Sequence, residues 1–148
     1  MLKNVSKGGK MFAHILIPVD LSDRNHTAVK IGLQMAAQNH GRVTLLHVIE
    51  LISDTTFDEF EDFYLRLEEQ ALSKMTALLG ESADDDHVEQ VVVYGDRVRE
   101  IINYATESEA ELIILSSHRI NLEEPTAGWG TISHKVGILA QCPVMLVK

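Results

Sequence analysis

The chain has 148 residues, 45% of them hydrophobic, with 22 acidic against 13 basic side chains and a net charge of −9. Its length fits one domain with a real core, and its charge argues against nucleic acid or an anionic membrane surface as main partner, since both call for clustered Lys and Arg. Cys142 is the single cysteine, which rules out an intrachain disulfide and points to a cytoplasmic home, and no apolar run reaches the roughly 18 residues of a transmembrane helix.

Residues 1–10 (M-L-K-N-V-S-K-G-G-K) hold lysines but no apolar h-region, and read as a flexible tail rather than a secretory signal. The domain occupies 11–148. Phe12 to Asp20 is apolar and β-branched, a strand buried on both faces, with Pro18 near its end. Ser22 or Asp23 caps the helix that follows, where Ala28, Ile31, Gly32, Met35 and Ala36 recur at helical spacing; Gly41 stops it. Arg42 to Glu50 is the second strand. After a polar link from Leu51 to Thr56, a long helix spans Phe57 to Leu79, with an apolar stripe of Phe57, Phe60, Tyr64, Leu67, Ala71, Met75 and Leu78. Its acidic first turns suit the helix dipole, and Gly80 ends it.

Ser82 to Asp86 is a loop, and His87 to Tyr94 the third strand. Gly95-Asp96 turns into a helix carrying Val98, Ile101, Ile102 and Ala105 at i, i+3, i+4, i+7 spacing. Ala110 to Leu115 is the fourth strand. A helix from about Thr131 puts Ile132, Val136, Leu139 and Ala140 on one side, and Pro143 to Val147 is the fifth strand.

Alternation of this kind, with helix-length crossovers, predicts a parallel sheet with helices on both faces. Ligands of such sheets sit beyond the carboxyl ends of the strands, where strand order switches. No helix follows the last strand. Either it lies inside the sheet, or it is an apolar edge that invites pairing and a dimer.

The chemistry concentrates between Ser116 and Val136, S-S-H-R-I-N-L-E-E-P-T-A-G-W-G-T-I-S-H-K-V. A strand enters this stretch and a helix leaves it. Gly128 and Gly130 let the backbone turn, and Thr131 is a good N-cap. The first amides of that helix lack partners within it and carry the positive end of its dipole. Strand, small-residue loop and helix start are the pattern of a phosphate cradle, and the stretch reads as one or as the descendant of one. Glu123 and Glu124 oppose an anion unless they point away or are bridged by Mg²⁺. Trp129 either packs the loop or the dimer or stacks on a base. No catalytic constellation is present: Ser133 and His134 adjoin on a helix, so their side chains diverge, and neither a G-x-S-x-G elbow nor a G-x4-G-K-[S/T] loop occurs.

Taken together, I-L-I-P-V-D, L-L-H-V-I-E, Y-G-D-R-V-R-E-I-I, A-E-L-I-I-L-S-S-H-R, G-T-I-S-H-K-V and C-P-V-M-L-V resemble the universal stress protein family, in order and spacing, from Phe12 to Lys148. The resemblance implies a Rossmann-like α/β three-layer sandwich, a five-stranded parallel sheet in order 3-2-1-4-5, and a homodimer through the C-terminal strand, Pro143 to Val147. ATP-binding members carry G-x2-G-x9-G-[S/T] after the fourth strand. Ser116 and Arg119 stand for the first two glycines, and Gly130-Thr131 matches the last pair, with ten intervening residues instead of nine.

Carried over by position, Pro18, Val19 and Asp20 would border the adenosine, with Asp20 near the ribose or a Mg²⁺, and Val48 or its neighbours would line the adenine. Ser116, Ser117 and His118 would flank the phosphates, Arg119 would either clash with them or bind them through its guanidinium, and Gly130, Thr131, Ile132 and Ser133 would bind them. The expected protein is a cytoplasmic stress-response homodimer with ATP or a related adenine nucleotide as regulatory ligand and at most slow hydrolysis. The alternative is a non-nucleotide-binding member that serves as a dimeric interaction module.

Overall fold

A computed structural model describes residues 11–117, 123 and 131–148. Five strands, β1 (His14–Pro18), β2 (Arg42–Ile49), β3 (Val88–Tyr94), β4 (Leu112–Ser116) and β5 (Val144–Val147), form one sheet in the order β3-β2-β1-β4-β5. Every strand pair is parallel. The crossovers carry helices α1 (Asn25–Asn39), α2 (Glu61–Leu79), α3 (Arg97–Glu107) and α4 (Ile132–Leu139). The expected strand order and three-layer architecture are both present.

The period-2 alternation of side chains along the central strands divides the core between the two faces. Ile15, Ile17, Val43 and Leu45 pack with Ala28, Val29 and Ala36 of α1 and Met75 and Leu79 of α2. Leu16, Leu46, Val48, Ile113 and Leu115 face the other way, against Ile101 and Ala105 of α3 and Val136 of α4. β1, at the centre, is buried along its whole length, which is why its sequence is apolar without alternation.

Several boundaries differ from the sequence reading. β1 starts at His14, so Phe12 precedes the ladder. Neither Ser22 nor Asp23 caps α1 with its side chain; the Ser22 hydroxyl turns back to Asp20 instead. α1 ends in a left-handed His40, φ 54°, rather than at Gly41. Gly41 is needed for a close approach, because a Cβ there would lie 2.8 Å from the Ala13 carbonyl oxygen. Phe57–Phe60 is a 3-10 turn ahead of α2, so the apolar stripe starts out of phase and Phe60 is exposed. Leu139 is also exposed, since α4 is too short to bury both of its ends.

At the mouth of the sheet an aromatic cluster fixes the link from β2 to α2. Phe57 stacks on Tyr64 and meets Tyr94 edge-on, with ring centroids 5.8 and 5.3 Å apart. The buried Tyr64 hydroxyl oxygen accepts the Ile52 N–H at 2.6 Å. Burial and its hydrogen bond to Glu68 push the Tyr94 phenol up to about 12.

At the opposite end of the sheet, His14 is buried among polar partners. Its Nδ1–H donates to the Ser108 carbonyl at 3.3 Å, and its Nε2 accepts from the Thr44 hydroxyl at 2.8 Å. A neutral ring satisfies both bonds. Burial, with Arg42 nearby, lowers its pKa.

Candidate nucleotide site

β1 is flanked by β2 on one side and β4 on the other, so strand order reverses there and the crossovers leave a crevice above the carboxyl ends. A cleft of about 270 Å³ occupies that position, near the lower end of the ~300–1,000 Å³ span of small-molecule sites. Its floor comes from the strand ends: Pro18 and Val19 after β1, Leu46 and Val48 on β2, and Leu115 on β4. Ile101 of α3 and Ile132 of α4 complete an apolar lining. Asp20, Ser116 and Ser133 add polar groups on the α4 side and at the β1 end.

Of the residues carried over by resemblance, the fold brings Pro18, Val19, Asp20, Val48, Ser116, Ile132 and Ser133 to this one cleft. Ser117 and Thr131 adjoin it through Ser133, whose hydroxyl lies 3.1 Å from that of Ser117 and 3.3 Å from that of Thr131. His118, Arg119 and Gly130 fall outside the described residues, as do Glu124 and Trp129.

Thr131 is the N-cap of α4, its hydroxyl oxygen accepting the His134 N–H at 3.3 Å. The three hydroxyls therefore surround the start of a helix whose remaining leading amides have no partner within it. Hydroxyls rotate to donate to whatever acceptor arrives, and the positive end of the dipole favours an anion. These residues fit a phosphate group.

Ser116 does not. Its hydroxyl donates to the Arg24 carbonyl at 3.3 Å and accepts from the Asn25 amide at 3.2 Å. Its proton is thus committed to structure. Asn25, 1% exposed, also accepts the N–H of Leu21 at 2.8 Å, and Leu21 is left-handed at φ 69°. One buried amide thus joins the β1–α1 turn to the end of β4 and sets the lip of the cleft.

Asp20 Oδ1 accepts both the Ser22 N–H at 2.9 Å and the Ser22 hydroxyl at 2.6 Å, and Oδ2 lies 3.7 Å from Arg24. Partial burial alone would raise its pKa, but the Ser22 hydrogen bonds, with Arg24 and Arg97 beside it, bring the carboxyl below its usual range. It stays charged at neutral pH. Mg²⁺ is commonly held by one or two carboxylates together with phosphate oxygens, and Asp20 would supply one. Among the described residues no three His, Cys, Asp or Glu side chains are grouped to hold a metal unaided.

Four polar lining residues escape the sequence reading: Arg24, Asn25, His47 and Arg97. His47 Nδ1–H donates to the Val19 carbonyl at 2.8 Å. Burial, only partly opposed by that bond, lowers its pKa, and nearby Arg97 lowers it further. The neutral ring braces Val19 beneath the cleft. Arg97 opens α3 and holds Glu50 at 3.5 Å.

The model of the universal stress protein family matches residues 11–148. The chain belongs to that family. It is 27% identical over 154 residues to the universal stress protein YxiE of Bacillus subtilis, covering 93% of this chain and 100% of that one. The solved structure of the MJ0577 protein, of Methanocaldococcus jannaschii, superposes with a TM-score of 0.76 at 30% identity, over 93% of this chain and 96% of that one. A universal stress protein in complex with cAMP and one from Archaeoglobus fulgidus in complex with dAMP share the fold at 17% identity each. Their TM-scores are 0.66 and 0.65, over 93% of this chain and 98% and 99% of theirs.

Proposed function

We propose that this protein binds an adenine nucleotide as a regulatory ligand in the cleft above β1, with the phosphate at the start of α4 and the base toward Val48 and Ile101. The observation that carries the reading is the meeting, at the strand-order switch, of an apolar slot with the hydroxyls of Ser117, Thr131 and Ser133 around the N-terminus of α4. The two ligands named in the related complexes, cAMP and dAMP, are both adenine nucleotides, which supports the class. ATP with Mg²⁺ at Asp20 is the larger version of the same ligand. We place the protein in the cytoplasm, in stress response, with hydrolysis slow and incidental.

The working unit in this reading is a homodimer through Pro143–Val147. β5 lies at the edge of the sheet; Leu146 on it is 40% exposed, and Ile138 and Leu139 at the end of α4 are 67% and 56% exposed. An edge strand with apolar neighbours favours pairing.

A second reading, a dimeric interaction module that binds no nucleotide, draws on Ser116. Where the family motif has its first glycine, this chain has a side chain whose proton is already used. Equilibrium dialysis with radiolabelled ATP and AMP, with and without Mg²⁺, separates the two. Saturable binding of either nucleotide supports the first reading. No saturation at millimolar nucleotide leaves the second.

A further inference from the structure

Arg97 occupies a position that helix chemistry disfavours. It is the first residue of α3, where the dipole repels a cation, and Asp96 already caps that helix by accepting the Arg99 N–H at 3.0 Å. A residue set against its local preference, in a cleft, marks a functional constraint. Arg97 and Ile101 are one helical turn apart and both line the cleft, as does Val48 of β2. Glu50, just past the end of β2, tethers the Arg97 Nε at 3.5 Å. The side chain thus sits at the β2–α3 end of the cleft, near Glu50 and with Asp20 also beside it.

Resting on the reading that a nucleotide lies with its phosphate at α4, we infer that Arg97 is a specificity-determining residue whose guanidinium covers the purine ring. Val48 and Ile101 offer the base only aliphatic contact. A planar guanidinium stacks on an aromatic face in a way that an ammonium does not. A cation over a ring also gains from its quadrupole, and more so as water is excluded. The larger surface of a purine gives it more of this contact than a pyrimidine. Glu50 holds the group at the rim, so little freedom is lost when a base slides beneath it.

Calorimetric titration of AMP and UMP into the full-length protein, Arg97→Ala and Arg97→Lys tests this. Arg97 is about half exposed, so both variants fold, and circular dichroism verifies it. The expected result is that the wild type prefers AMP over UMP. Arg97→Ala weakens AMP by about tenfold while UMP changes less, narrowing the preference, and Arg97→Lys does not restore it. Equal weakening of both nucleotides with rescue by lysine makes Arg97 a phosphate contact and overturns the inference. Unchanged affinities in both variants overturn it too. A wild type that binds neither nucleotide fails the functional reading itself, and this inference with it.

Discussion

Asn25→Ala is the substitution that most sharply tests how the lip of the cleft is built. Asn25 is buried and spans two segments, accepting the Leu21 N–H at 2.8 Å and donating to the Ser116 hydroxyl at 3.2 Å. Truncation leaves the half-buried Leu21 amide without this partner, a loss of about 1–3 kcal/mol. Leu21 is left-handed, a conformation costing a residue with a Cβ roughly 1–2 kcal/mol, and this hydrogen bond helps hold it there. Ser116 keeps its bond to the Arg24 carbonyl and adds little. The strain is present in the wild type as well and adds nothing to the loss, so the expected net loss is about 1–3 kcal/mol. For a domain of this size that lowers Tm by about 3–10 °C. Urea denaturation followed by circular dichroism gives the free energy directly, with His26→Ala, an exposed neighbour, as a control expected within about 0.5 kcal/mol of wild type. AMP affinity should fall as well, because the β1–α1 turn and the end of β4 at Ser116 lose the amide that joins them. An Asn25→Ala protein within about 0.5 kcal/mol of wild type would mean that the amide does not hold the turn to β4.

Acidification should destabilise the fold, starting below the ordinary histidine pKa of about 6.5. His14 and His47 are both lowered by burial, so the unfolded chain takes up protons first; their stability is complete above that pH and lost below it, which chemical denaturation between pH 7 and 5 would register. His14→Gln should flatten that slope, and an unchanged slope would remove His14 from the account. Gly41→Ala puts a methyl group 2.8 Å from a backbone carbonyl and should cost roughly 1–3 kcal/mol; a neutral change would mean that the start of β1 yields easily. Thr131→Val removes the α4 cap at about 1 kcal/mol and should also weaken AMP, whereas a stability change with intact affinity would separate the cap from the anion seat. Leu146→Lys at the exposed edge strand should shift sedimentation toward monomer, and an unaltered profile would exclude β5 as the dimer surface.

The fold was legible because burial imposes a period. Val91 to Val93, the continuous run from Ile15 to Val19 and the i, i+4 pair Ile101 and Ala105 each name their element without help from distant residues. The boundaries were less legible because short-range chemistry had competing solutions. Ser22 was free to cap α1 or to bond Asp20, and His40 took the left-handed turn that the sequence pattern assigns to Gly41.

The same contrast runs through the site. Val19, Asp20, Val48, Ile132 and Ser133 carry a family pattern and fall into one cleft. Asn25, His47 and Arg97 follow no ligand-binding spacing, and only the packing of α1, β2 and α3 brings them together there. One signal for Arg97 was available, a basic residue at the start of a helix where an acidic or neutral one is favoured.

An adenine nucleotide across the carboxyl end of β1, with its phosphate at the front of α4 as we propose, would leave its footprint on the backbone amides there. Titrating AMP into ¹⁵N-labelled protein and following the amide shifts reads that footprint. Saturable shifts are expected to concentrate at Val19, Val48, Ile132 and Ser133, with none at His14 or Ser108 at the far end of the sheet. Shifts elsewhere with those residues unmoved, or no shift at millimolar AMP, would contradict that placement.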